Sequence, residues 1–167
     1  FLDTREVHNN FTVGINDDVT NLSVKYDSKF MLPSQNVEFL IYGFGSDGMV
    51  SAAKDLMKIT GTYTNAYVQG YFQYDSKKSG GVTICNLRIS DKPINAPFYV
   101  TNPGIVVLTK DEYLFKFDMI DDIKENGIFV INTTKNQEEL DGFLPNKVKR
   151  IINDKNVKLY IIDADKI

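Results

Sequence analysis

The chain carries one cysteine, Cys85, and one histidine, His8. A single thiol excludes an internal disulfide, a cysteine-rich zinc site and an iron–sulfur cradle. A single imidazole near the N-terminus argues against a histidine-based triad or a multi-histidine metal site. No metal ligand set and no catalytic residue is expected here. No apolar run approaches the roughly 20 residues that cross a bilayer, so no membrane partner is expected. Positive charge is also short: 19 basic against 22 acidic residues leave a net charge of −3. Without surplus cations to displace counterions, nucleic acid is not an expected partner. The start, Phe1-Leu2-Asp3-Thr4-Arg5, has neither an initiator Met nor a signal-peptide pattern, and the chain reads as a piece of something longer.

What remains is ordinary globular composition. The 167 residues are 43% hydrophobic and 25% charged, enough for one compact domain with a short lead-in. Texture changes after residue 36. Residues 1–36 read as a lead-in arm and linker, with a short strand over 11–15, a break at Asn16-Asp17-Asp18 and an edge strand over 21–26. Residues 37–167 read as an α/β domain. A short apolar run from Val37 to Tyr42 ends in glycine and suits a buried strand. Met49, Val50, Ala53, Leu56, Met57 and Ile59 then follow helical spacing, opposite Ser51, Lys54, Asp55 and Lys58, with Gly61 as the C-cap. Residues 66–74 form a second strand.

Further strands are expected over 82–89, 99–100, 105–108, 128–132 and 159–162. The first of these breaks its own alternation at Leu87 and Ile89. Helices are expected over 111–117, 119–125 (stopped by Asn126-Gly127), 137–140 and 146–155. The last is basic, with Val148, Ile151 and Ile152 inward and its lysines on a solvated face. This alternation predicts a three-layer α/β/α domain with a mostly parallel sheet and a Rossmann-like βαβ start. Such sheets take ligands beyond the carboxyl ends of their strands.

Gly43-Phe44-Gly45-Ser46-Asp47-Gly48 is a G-x-G-x-x-G run placed between a strand and a helix. Glycines there let a phosphate approach the backbone, and the helix start offers free N–H groups and a positive dipole end. The alternative is a tight turn without a ligand. Asp47 argues mildly against a bare phosphate beside its side chain and suits a helix cap. A dinucleotide site wants an acid at the end of the second strand, where Asp75 comes several residues late. Lys77 and Lys78 follow in a Ser- and Gly-containing loop, read either as a solvated surface or, better, as an anion-binding loop. Cys85 reads as buried and structural. Arg88 pairs with a carboxylate or phosphate, or lies in a surface ion pair. Asn132-Thr133-Thr134 closes a strand at the ligand edge and reads as a hydrogen-bonding contact to a ligand or, better, as the cap of the next helix.

Gly43 to Gly48, together with Gln69-Gly70-Tyr71-Phe72-Gln73-Tyr74-Asp75-Ser76-Lys77-Lys78-Ser79-Gly80-Gly81-Val82-Thr83, resembles the gamma-type domain of the pyruvate:ferredoxin (flavodoxin) oxidoreductase family. Residues 11–20, Lys92-Pro93-Ile94, 113–119 and Ile162-Asp163-Ala164 fit in order, so the resemblance covers nearly the whole chain. It implies a domain cut from an enzyme that oxidatively decarboxylates pyruvate to acetyl-coenzyme A and CO2. Thiamine diphosphate and [4Fe–4S] clusters are then carried by other domains, ferredoxin or flavodoxin accepts the electrons, and the parent is a homodimer. The implied location is the cytoplasm, or an organelle of an anaerobic eukaryote. The implied share of this chain is coenzyme A binding, through Gly45, Ser46, Asp47, Gly48 and Met49 with Lys77 on a phosphate. Met49 replaces a usual Thr, Ala53 a usual Asn, and Cys85-Asn86-Leu87-Arg88 a Ser-His-Leu-Arg pattern. Asn132-Thr133-Thr134-Lys135 replaces Asn-Ser-Pro-Trp. Two other readings stay open: a docking domain that lost its ligand, and part of a pyruvate:NADP oxidoreductase.

Overall fold

A computed structural model describes residues 9–27, 34–75 and 81–166. The chain divides into two compact units, Phe1–Ser34 and Gln35–Ile167. In the first, the strands expected over 11–15 and 21–26 reduce to one parallel bridge, Thr12 to Ser23. The two hydroxyls meet at 2.8 Å. The turn between them is organised by Asp18, whose carboxylate accepts from the Thr20 hydroxyl, the Thr20 N–H and the Ser23 N–H. These bonds, the Thr20 hydroxyl first, hold the Asp18 carboxyl down to about 2. Local side-chain bonds have replaced a strand ladder here.

The second unit is built on a six-stranded sheet. Its elements are β1 (Val37–Phe44), α1 (Met49–Tyr63), β2 (Tyr67–Tyr74), β3 (Val82–Ser90), β4 (Ile105–Leu108), a 3₁₀ turn (Asp111–Phe115), β5 (Ile128–Asn132), α2 (Gln137–Phe143), α3 (Asn146–Asp154) and β6 (Lys158–Ile162). The strand order is β2-β3-β1-β4-β5-β6. β1–β4, β4–β5 and β5–β6 run parallel, while β3 runs antiparallel to both β1 and β2. The expected three-layer, mostly parallel α/β architecture is present. The strand–helix–strand opening is also present, but β3 is inserted between its two strands.

Strand alternation divides the core between the two faces of the sheet. Ile41, Cys85 and Leu87 pack with Met49 and Ala53 of α1. Leu40, Val106, Leu108, Phe129 and Ile131 face the other way, against Leu114 of the 3₁₀ turn, Leu140 of α2 and Val148 of α3. β1 therefore leaves through a helix on one face, and the β4–β5–β6 series is connected across the other. The switch falls between β1 and β4, and the carboxyl ends of strands at such a point are where α/β sheets take ligands.

Several expected elements change under tertiary competition. α1 continues through Gly61 to Tyr63 and is capped by Thr64, whose N–H and hydroxyl both donate to the Thr60 carbonyl, at 3.1 and 2.6 Å. Residues 99–100 form no strand, since the Val100 N–H donates to the Asn86 side chain at 2.9 Å. Residues 119–125 form turns, with Met119, Ile120 and Ile123 buried. The Lys124 N–H there leaves for the Pro103 carbonyl at 2.9 Å. Asn132-Thr133-Thr134 does not cap α2. That cap is Asn136, in a capping box with Glu139, while the Thr133 hydroxyl donates to Asp111 at 2.6 Å. On α3, Lys147 bonds Asp118 and Asp121 and Lys149 pairs with Asp141, so its basic face is a neutralised surface. Among the described residues no helix is long and apolar enough to cross a membrane.

Candidate functional site

The glycine turn sits at the carboxyl end of β1, at the switch point. Gly45, Ser46, Asp47 and Gly48 are all exposed. Two left-handed residues shape it: Ser46 at φ 88° and Gly48 at φ 82°. Gly48 is the N-cap of α1, and at that φ a Cβ is costly even though space is open around it. Ser46 accepts the same conformation without being glycine, a strained placement of the kind that clusters at ligand-binding turns. The Gly45 N–H reaches the Gly81 carbonyl at 3.4 Å, which ties the turn to the base of the β2–β3 hairpin.

Asp47 is the keystone of the turn. One carboxylate oxygen accepts from the Phe44 N–H at 2.8 Å and from the Thr109 hydroxyl at 2.6 Å. The other accepts from the Met49 N–H at 2.9 Å. Asp47 is not the N-cap, which is Gly48; it binds the first helical N–H from one position earlier and also bridges β1 to the end of β4. By contrast, the N–H groups of Ser46, Gly48, Val50 and Ser51 have no bonding partner among the described residues. They stand at the positive end of a 15-residue helix, which is the arrangement that receives phosphate oxygens.

Met49 is placed differently from its neighbours in the turn. Its side chain is only 5% exposed, and its sulfur lies 3.1 Å from the Cys85 thiol. Its N–H is already taken by Asp47. Met49 therefore anchors the turn to the core beneath it. Cys85 is wholly buried. Burial first, and then the Asp47 carboxylate, push its thiol up to about 12. Because the thiolate is the reactive species, iodoacetamide at pH 8 is expected to leave Cys85 unmodified in the native chain and to alkylate it in concentrated urea. Modification of the folded chain on the same timescale, read by mass spectrometry, would contradict this placement.

Lys77 and Lys78 lie outside the described residues. The loop that carries them springs from a hairpin base that is described: the Asp75 N–H meets the Val82 carbonyl at 3.2 Å, and Gly81 touches Gly45. The loop is therefore rooted at the glycine turn. Asp75 stands at the end of β2, and β3 separates β2 from β1. A dinucleotide site needs those strands side by side so that the acid reaches the ribose. Arg88 is not in a surface ion pair. It is buried, bonded to Glu38 and Gln69 and to the carbonyls of Phe98 and Tyr99, and it stacks over the Phe98 ring.

Two residues near the site escaped the sequence reading. Thr109 reaches Asp47 from 62 positions away. Lys110 holds its ammonium 5.1 Å above the Phe44 ring, at the same edge. The usable signal was position alone: both follow directly after the clear strand Ile105–Leu108. The described residues contain no cluster of His, Cys, Asp and Glu able to hold a metal ion.

Comparison with known proteins bears on this arrangement. The family described as pyruvate ferredoxin/flavodoxin oxidoreductase matches residues 38–167. A probable pyruvate-flavodoxin oxidoreductase of Escherichia coli (strain K12) is 43% identical over 157 residues, 94% of this chain and 13% of that protein. A pyruvate dehydrogenase [NADP(+)] of Cryptosporidium parvum is 44% identical over 162 residues, 95% of this chain and 8% of that protein. The chain thus spans a small fraction of the relatives it matches. A solved 2-oxoglutarate:ferredoxin oxidoreductase from Magnetococcus marinus, with 2-oxoglutarate, coenzyme A and succinyl-CoA bound, shares the fold. Its TM-score is 0.58 at 16% identity, over 80% of this chain and 21% of that one.

Proposed function

The chain belongs to the pyruvate ferredoxin/flavodoxin oxidoreductase family, and from that premise we propose that it is the gamma-type coenzyme A-binding domain of such an enzyme. The parent oxidatively decarboxylates pyruvate to acetyl-coenzyme A and CO2. Thiamine diphosphate and the [4Fe–4S] clusters belong to its other domains, which are this domain's immediate partners. In this reading the parent is a cytoplasmic homodimer. The observation that carries the proposal is the exposed turn at the switch point, with the N–H groups of Ser46, Gly48, Val50 and Ser51 unpaired among the described residues at the start of α1.

Gly45, Ser46 and Gly48 present backbone to a phosphate group of the coenzyme. Asp47 and Met49 fix that backbone, one from the edge and one from the core. Lys77 supplies the cation from the adjoining hairpin. The residues fit an anionic ligand because the turn offers donors and, among the described residues, no side chain lies within 4 Å of a Cβ placed at Gly45 or Gly48. A family neighbour holding coenzyme A and its thioester product agrees with the choice of ligand. Ferredoxin or flavodoxin is the acceptor of the whole enzyme. The likeness to the Cryptosporidium parvum protein favours a second form, in which electrons pass on to NADP. This domain's role is the same in both.

Calorimetric titration of the chain with coenzyme A and with dephospho-coenzyme A tests the proposal. Binding is expected for both, tighter for the form carrying the 3′-phosphate. A charge-assisted bond is worth about 1.5–3 kcal/mol, so Lys77→Ala is expected to weaken coenzyme A by roughly tenfold to a hundredfold. The dephospho form is expected to lose less. Equal losses for the two ligands would remove Lys77 from the phosphate, and no binding by the wild-type chain would favour the docking-domain reading. The chain alone is expected to turn over no pyruvate.

A further inference from the structure

The carboxylate of Asp47 poses an electrostatic difficulty for any anion at this turn. It stands among the very N–H groups that would receive a phosphate, and at that distance like charges repel. A free carboxylate would also compete for those donors. The structure fixes it in place. One oxygen accepts from the Met49 N–H at 2.9 Å, and the other is held by the Thr109 hydroxyl at 2.6 Å as well as by the Phe44 N–H.

Thr109 is itself fixed on every polar atom. Its N–H donates to the Tyr42 carbonyl of β1 at 3.0 Å. Its carbonyl accepts from the Asn132 side-chain amide at 3.1 Å. Asn132, the last residue of β5, accepts in turn from the Ala164 N–H at 2.9 Å. A continuous polar line therefore runs along the carboxyl edge, from the start of α1 through the ends of β4 and β5 to the segment after β6. Thr109 is the first residue past β4, Asn132 the last of β5, Ala164 the second past β6 and Asp47 the third past β1, so the strand ends set the spacing.

We infer that Thr109 and Asn132 are positioning residues of the anion site: together they hold the Asp47 carboxylate away from the bound phosphate and keep the turn's free N–H groups available. The inference rests on the coenzyme A reading of the turn. Thr109 acts directly on Asp47, and Asn132 acts through Thr109. Neither touches the ligand.

Two measurements on the full chain test it: calorimetric titration with coenzyme A, and hydrogen exchange at the Phe44 and Met49 amides without ligand. Thr109→Val removes the hydroxyl and keeps the shape. It is expected to weaken coenzyme A by roughly tenfold, the size of one hydrogen bond to a charged group, and to speed exchange at Phe44 and Met49. Thr109→Ser is expected to restore both. Asn132→Leu is expected to act in the same direction and less strongly. In an Asp47→Asn background, Thr109→Val is expected to change affinity far less, because no charge is left to restrain. A purely structural role for Thr109 would give equal losses in both backgrounds. Wild-type affinity and wild-type exchange in Thr109→Val would overturn the inference. If the wild-type chain binds no coenzyme A, the coenzyme reading fails. Exchange then decides on the brace alone: faster exchange in Thr109→Val supports it, and unchanged exchange overturns it.

Discussion

Arg88→Met is expected to destabilise the chain by about 3–5 kcal/mol, the range for breaking a buried ion pair from one side. Glu38 and Arg88 face each other across β1 and β3, and they are 4% and 3% exposed. The guanidinium donates to Glu38 at 2.9 Å, to Gln69 at 3.0 Å, and to the Phe98 and Tyr99 carbonyls at 2.8 and 3.0 Å. Methionine fills much of the same space and supplies none of these donors. Among the described residues the Glu38 carboxylate then keeps only Lys124, at 3.2 Å, and two carbonyls lose their guanidinium donor.

Desolvation of a buried pair offsets much of its attraction, so removing both charges is milder than removing one. Glu38→Leu combined with Arg88→Met is therefore expected to recover a substantial part of the loss. Urea denaturation of the wild type, both single variants and the double variant measures the cycle. A loss below about 1 kcal/mol for Arg88→Met would place the pair among weak surface bridges. The consequences reach the strand order: Arg88 is where β1, β2, β3 and residues 98–99 are fastened together.

Gly43→Ala is expected to destabilise by about 1–3 kcal/mol through overpacking, and Met49→Ala by about 2–5 kcal/mol through the cavity it leaves. A Cβ on Gly43 would lie 2.5 Å from the Met49 methyl, 2.9 Å from its Cγ and 3.0 Å from an Asp47 oxygen. The methyl is the loose end of a flexible chain and can yield. Cγ is closer to the backbone and yields less, and Met49 is already packed on Cys85. Each substitution supplies what the other lacks. The double variant is expected to lose clearly less than the sum of the two, and thermal unfolding of all four proteins reads the coupling. Additive losses would mean that Met49 finds another rotamer without strain. Gly43→Ala is also expected to weaken coenzyme A, because the intruding Cβ presses on the carboxylate that shapes the turn.

The parts of this fold that were legible in the sequence are those whose signal is local. β4 and β5 are short apolar runs buried on alternate sides. α1 shows helical spacing above a polar face. The turn from Gly43 to Gly48 declares itself by composition and by its place between a strand and a helix. β3 was harder, because Cys85, Asn86, Leu87 and Arg88 are all buried, so no alternation of apolar and polar residues marks its faces. Its polar members are satisfied by Gln73, Glu38, Gln69 and the backbone of residues 98–100, and none of those pairings is visible along the chain. Residues 119–125 repeat apolar side chains at nearly helical intervals, yet their backbone bonds run elsewhere. The glycine-turn side of the candidate site was legible. The Thr109 side was not, since it depends on which strand lies beside β1, and neighbours in a sheet are decided by chain crossings rather than by adjacent residues.

The position of β3 has a bearing on how the chain comes off the ribosome. β1 is translated first of the sheet, but both of its hydrogen-bonding neighbours come later, β3 ending at Ser90 and β4 at Leu108. Until they arrive, β1 is an apolar strand with two open edges, the state that invites wrong pairing and chaperone attention. The β2–β3 hairpin can form early because its strands are consecutive, and it then offers β1 its first edge. The glycine turn gains its Thr109 contact only after β4 docks, so the site's geometry matures some sixty residues of synthesis after the turn itself is made.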